Sequence, residues 1–196
     1  MNWTSLDTYR EGLDFFTAVV DAVPAGSWER PSPCDGWQAL DVLGHVGETT
    51  GMGARILRGG DLAFSATEPP SSAVIGDPAA WWRALVDDAR SALTSVDDLD
   101  REIDSPVGPR TIREGFAFPA VDLFVHGWDL AAATGQSVII PDEAIAFTRD
   151  MFENIPTEIS RRPGVFAPEL DAPAGASTTG ALIAFTGRDP DFIPTA

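Results

Sequence analysis

The chain has 196 residues, 44% hydrophobic and 22% charged, the balance of a globular domain with a sizeable core and not of a disordered or fibrous chain. Its formal net charge of −17 and pI near 4.2 exclude nucleic acid, whose phosphates need clustered cations, and would repel an anionic membrane surface. No apolar run approaches the roughly 20 residues that span a bilayer, and one cysteine rules out an internal disulfide and any Cys-rich zinc knuckle. Met1 to Asp7 has neither a basic nor an apolar leader segment, so a cytoplasmic protein is expected, and any metal in it must use histidine and carboxylate.

Leu6, Tyr9, Leu13, Phe16, Val20 and Val23 recur at steps of three and four, the stripe of a helix from about Ser5 to Val23 capped by Thr4 or Ser5. Pro31 and Pro33 keep the next stretch extended, and Asp35 offers a cap for a second helix from about Gly36 to Arg58. Gly44, Gly47, Gly51 and Gly53 make that helix poor by propensity, but small residues around His45 would let a backbone or a ligand approach closely. Residues 61–76 read as a loop. Asp77-Pro78 then opens a third helix, whose face of Trp82, Leu85, Ala89, Ala92, Val96 and Leu99 carries it to about Leu99.

Thr111 with Glu114 is a capping-box pattern that starts a fourth helix, split near Pro119, with its main part from about Ala120 to a stop at Gly135. Pro141-Asp142-Glu143 starts a fifth, ending near Pro156, and residues 161–196 form an irregular tail rich in Pro, Gly and Ala that packs on a bundle spanning residues 1–160. Five helical spans with almost no alternating pattern predict an all-α fold, an up-and-down bundle with long crossovers. Such bundles build metal sites from facing helices.

The fourth helix holds one of only two histidines, His126, four residues after Asp122. On a helix that spacing brings the two side chains to one face, about 5–6 Å apart at Cβ. If the second helix packs on the fourth, His45 completes a His/Asp/His set that holds a divalent metal and leaves a position open for water or substrate. The plainer reading makes both histidines ordinary core or surface groups and Asp122 a solvated carboxylate, because Asp-x-x-x-His arises often by chance.

A longer pattern surrounds these residues. Ser32-Pro33-Cys34-Asp35-Gly36-Trp37 leads through Asp41-Val42-Leu43 to Gly44-His45. Asp122 to Ala131 is followed by Ala133-Thr134-Gly135, and the tail carries Gly164-Val165-Phe166-Ala167-Pro168 and Phe185-Thr186-Gly187-Arg188-Asp189-Pro190. Together these resemble the mycothiol-dependent maleylpyruvate isomerase N-terminal-domain group of the DinB-like superfamily, largely actinobacterial metal-binding proteins. The resemblance implies a DinB-like four-helix bundle of the up-down-down-up type with an extra helix. It also implies a divalent metal, zinc first and nickel or another ion second, on His45, Asp122 and His126. Asp122 stands where the isomerase has glutamate, and only residues 161–196 follow the bundle where the isomerase has a substantial further domain, which points away from maleylpyruvate itself.

The implied activity is a thiol-dependent transfer or isomerisation of a small molecule, with mycothiol as the thiol and a homodimer as the candidate assembly. The alternative is a non-catalytic metal- or small-ligand-binding bundle. Glu48, three residues after His45, is the candidate general base or an acceptor that supports a ligand, or equally a solvated surface group. Arg188 is the candidate anchor for an anionic substrate at the site mouth, or a turn anchor. Asp129 reads as a partner that fixes a histidine ring or as a tie for the next loop, and Trp128 as core or pocket wall. Cys34, placed before a helix whose dipole would lower its pKa, reads as a packed loop residue.

Overall fold

Helix α1 (Ser5–Asp21) follows its apolar stripe: Leu6, Tyr9, Leu13, Phe16 and Val20 are all buried, and Thr4 and Asp7 form a reciprocal capping box. The computed structural model describes residues 3–62, 65–105, 108–161 and 164–194. Helix α2 (Ala39–Leu57) starts three residues later than the spacing predicts, and Asp35 is not its cap. The reason lies in residues 31–38, which fold into their own turn. Pro31 bridges Gln38, Ser32 N donates to the Trp37 carbonyl at 2.9 Å, and the helix begins only after Gln38 N donates to Asp41 at 2.9 Å.

The glycines of α2 are explained by close packing. A Cβ at Gly44 would overlap the Pro70 carbonyl, and one at Gly47 would overlap the Trp81 ring. What comes close is therefore a 3-10 turn at Pro70–Ala73 and helix α3 (Pro78–Ser95), not a ligand. Asp41 locks the same junction, its other oxygen accepting from Ser71 N at 2.9 Å.

Helix α3 is capped by Asp77, as expected, but its chain turns extended at Val96, so it ends at Ser95; Val96 and Leu99 still pack on the core. A two-stranded hairpin, β1 (Glu102–Ile103) and β2 (Arg110–Thr111), follows, too short to leave a period in the sequence. The break expected at Pro119 falls earlier. A single turn α4 (Ile112–Gly115) ends at Phe116, and α5 (Ala117–Thr134) carries Pro119 in its first turn, where the missing N–H costs nothing. Gly135 stops α5 in the left-handed conformation, φ 77°.

Helices α1, α2, α3 and α5 form the bundle. α1 packs on α5 and α3, and α2 packs on α3 and α5, so the consecutive helices α1 and α2 sit on opposite corners and need the long 22–38 crossover. Phe16, Leu43, Trp82 and Phe116 are fully buried between them, each contributing about 1.5–3 kcal/mol. Trp82 Nε1 donates to Thr17 at 2.9 Å, satisfying the one polar atom of that ring.

The rest of the chain wraps the outer side of α5. Helix α6 (Asp142–Asn154) and a short turn α7 (Thr157–Ser160) are followed by α8 (Thr178–Phe185), a helix that the Gly- and Ala-rich tail did not suggest; Ser177 caps it by accepting from Gly180 N at 3.0 Å. Leu182 and Ile183 pack with Phe124, Ile140 and Ala144, while Met151 and Phe166 pack with Val121 and Val125. That enclosure on both sides explains why α5 is apolar nearly all round. Among the described residues no helix is long and apolar enough to cross a membrane.

Candidate metal centre

His45 comes from α2, and Asp122 and His126 from α5, two helices in direct contact. His45 Nε2 lies 3.4 Å from one oxygen of Asp122, and His126 Nε2 lies 3.3 Å from the other. The two rings stand edge to face with centroids 5.0 Å apart, and one donor atom from each of the three residues falls within 4.8 Å of the others. Ligands at 2.0–2.1 Å around a tetrahedral ion stand roughly 3.3 Å apart, which the two spacings through Asp122 match, so these residues could hold a divalent ion. The two histidines, separate in the sequence, are thus brought to one carboxylate.

His126 is fixed from behind. Its Nδ1 lies 2.8 Å from Asp129, whose side chain has no solvent exposure, and Arg188 donates to both Asp129 oxygens at 3.0–3.2 Å. The Asp129 carboxylate holds the ring through Nδ1 and so directs Nε2 at Asp122. Arg188 is therefore tied to Asp129, and its Nη1 also donates to the Thr186 carbonyl at 3.2 Å. It lines the cavity without being free to leave that pair.

The charges follow this geometry. Burial pushes Asp122 upward, but the imidazoles of His126 and His45 outweigh it and hold the carboxyl far below its usual range. Burial pushes His126 down, and the charge of Asp122 together with hydrogen bonds to Asp122 and Asp129 raises it well above 6.5 instead. Asp129 is likewise raised by burial and then carried down to about 2 by Arg188 and His126.

Cys34 is a packed loop residue, as expected, but its surroundings were not foreseen. Its thiol donates to Asp129 at 3.2 Å and lies 3.8 Å from His126 Nδ1, a histidine 92 positions away in the chain. Its pKa is raised, by burial and by the Asp129 charge, where a helix dipole was expected to lower it; α2 begins only at Ala39 and offers Cys34 no N-terminus. Trp37 was also missed as part of the site. Its ring lies 5.2 Å from His45 and 6.0 Å from His126, centroid to centroid, against both imidazoles. The only signal for either was the Cys34-Asp35-Gly36-Trp37 turn.

Glu48 is not brought to the group. Its carboxylate accepts from Thr67 N at 3.1 Å and from the Thr67 hydroxyl, anchoring the loop after α2. Trp128 points elsewhere too, into the cluster of Phe124 and Ile140. The three donors, Cys34, Trp37 and Arg188 open instead onto a cavity of about 1460 Å³, beyond the roughly 300–1,000 Å³ of ordinary small-molecule sites.

The family model described as mycothiol maleylpyruvate isomerase N-terminal domain matches residues 9–131, a span that contains all three donors. The chain belongs to that family. Its mycothiol maleylpyruvate isomerase N-terminal domain thus runs from Tyr9 within α1 to Ala131 within α5 and ends before Arg188 and the tail segment that wall the cavity. Two uncharacterized proteins of Mycobacterium tuberculosis, MT0763 of strain CDC 1551 and Rv0738 of strain H37Rv, are similar over more of the chain. Each is 27% identical over 184 residues, which is 93% of this chain and 97% of the relative. No solved structure matches the chain significantly.

Proposed function

We propose that His45, Asp122 and His126 hold a divalent metal, zinc in the first instance and nickel in the second, and that the protein is a thiol-dependent transferase or isomerase acting on a small molecule. The observation that carries this reading is the meeting of three donors from two helices within 4.8 Å at the wall of a large cavity. When bound, the ion supplies Lewis acidity that lowers the pKa of a thiol or water, making a nucleophile available near neutral pH. The family description makes mycothiol the first thiol to test.

The chain's own residues do the positioning. Asp129 holds the His126 ring in one orientation, and Arg188 neutralises Asp129 so that a fully buried carboxylate is tolerated there. Trp37 covers the ring faces and limits water at the donors. Cys34 stays a protonated thiol that donates to Asp129, so the reacting thiol comes from a cofactor and not from the chain.

One observation favours the rival, a metal-binding bundle without turnover: the carboxylate offered as general base, Glu48, is committed to Thr67. Cobalt substitution separates the two. Mycothiol added to the cobalt protein should produce a sulfur-to-metal charge-transfer band and shift the visible d–d bands. A spectrum unmoved by saturating thiol removes the thiol-dependent reading and leaves the rival.

A further inference from the structure

The arginines that line the cavity are not equivalent. Arg188 is neutralised by Asp129, Arg113 faces Asp100 at 3.3 Å, and Arg110 is exposed. Arg161 differs from all three. It is half-buried, its guanidinium carbon lies 4.7 Å from the Phe152 ring centroid and 4.9 Å from that of Phe185, and Nη1 donates to the Ala167 carbonyl at 2.6 Å. Among the described residues no carboxylate lies within ion-pair distance of it; Glu169 acts on it only through its field. A guanidinium has five N–H donors, and among the described residues a single one of them meets a protein acceptor.

Arg161 thus has an aromatic seat and one backbone acceptor but, among the described residues, no carboxylate at ion-pair distance to offset its charge, although the chain as a whole carries −17. The aromatic stack that carries Arg161 runs on to the metal end of the cavity, since Phe152 packs on Phe166 at 5.0 Å and Arg188 lies over Phe166 at 5.6 Å. Most of the remaining lining is apolar, with Met52 and Ile56 from α2, Leu62 after it, Phe147 and Met151 from α6, and Phe166, while Asp35, Asp104, Glu114 and Asp150 also reach the cavity and leave Arg161 as the place in it where an acid group is favoured.

We propose that the cavity takes an organic carboxylate with an extended apolar body, its acid group held by Arg161 and its alkyl or aryl part laid along these walls. A carboxylate fits better than a phosphate ester because one unneutralised guanidinium matches one negative charge, whereas a dianion would stay half-compensated. The inference rests on the proposed function only in placing the reacting end of such a molecule at His45, Asp122 and His126. The anchor itself requires no metal.

The test uses the full chain after EDTA treatment, so that no ion can bind the acid group. The neutral dye 1-N-phenylnaphthylamine is bound in the cavity and displaced by decanoate, decanamide or decyl phosphate. Decanoate should displace it at concentrations at least about tenfold below decanamide, the scale of a charge-assisted hydrogen bond. Arg161→Gln should bring that ratio near one while leaving decanamide unchanged, and Arg161→Lys should keep part of it. Should Arg161→Gln fail to fold, the wild-type ratio still decides. Equal potency of decanoate and decanamide, potency of decyl phosphate equal to or above that of decanoate, or no dye binding would each overturn the proposal. A parallel zinc titration judges the metal separately, so a chain that binds no zinc but prefers decanoate would lose the proposed function and keep this inference.

Discussion

Removing Arg188 is the sharpest perturbation of the structure behind the donors. Arg188→Met keeps the apolar stem over Phe166 and deletes the guanidinium, leaving Asp129 fully buried with only the Cys34 thiol and the His126 ring. Breaking a buried ion pair costs about 3–5 kcal/mol, and because His126 still faces Asp129 the lower end, about 3 kcal/mol, is expected. For a chain of this size that is a fall in Tm of about 6–12 °C. The pH dependence identifies the cause. Asp129 sits at about 2 in the folded protein against 3.8, a gap worth about 2 kcal/mol. A depressed folded value stabilises fully above pH 3.8 and ceases to do so as pH falls through about 2. The difference between wild type and variant, followed by urea denaturation, should therefore stay constant from pH 7 to 4 and narrow toward pH 2. Adding Asp129→Asn should recover much of the loss. A variant within 0.5 kcal/mol of wild type, or a difference that does not narrow in acid, would show that the pair does not support the site as described.

Three further outcomes are expected. Gly44→Ala forces the Pro70 turn away from α2 and should cost about 1–3 kcal/mol in urea denaturation, whereas a neutral result would mean the two backbones are not in contact. Asp122→Asn, which removes a charged ligand, should weaken zinc binding by isothermal titration by at least the roughly 10- to 100-fold that loss of a group merely supporting a ligand costs, while Asp122→Glu retains it; unchanged affinity in Asn would show that Asp122 is not a ligand. Cys34 should alkylate with iodoacetamide much more slowly in the native protein than in urea at pH 8, because burial and Asp129 keep it protonated, and rapid native labelling would contradict that placement.

The bundle was legible in the sequence because its helices carry the signals that physics requires. The Leu6–Val20 stripe, the Asp77-Pro78 cap and the Gly135 stop each stand where the structure uses them. The same holds for the meeting of His45 with Asp122 and His126, since i, i+4 spacing puts two donors on one face and a neighbouring helix supplies the third. What the sequence hid was long-range. Cys34 and Arg188 converge on Asp129 from opposite ends of the chain, and no local pattern encodes a contact between residues 95 and 59 positions apart. Helix α8 was missed because its Gly and Ala content reads as loop until Phe124 and Ile140 give its apolar residues something to pack on.

Zinc titration of the metal-free protein, monitored calorimetrically beside His45→Ala and His126→Ala, bears most directly on the proposed centre. One ion per chain in the wild type is expected, with binding lost in both variants while their circular dichroism stays helical. No uptake by the wild type, or full occupancy after His126→Ala, would contradict a centre built on these three side chains.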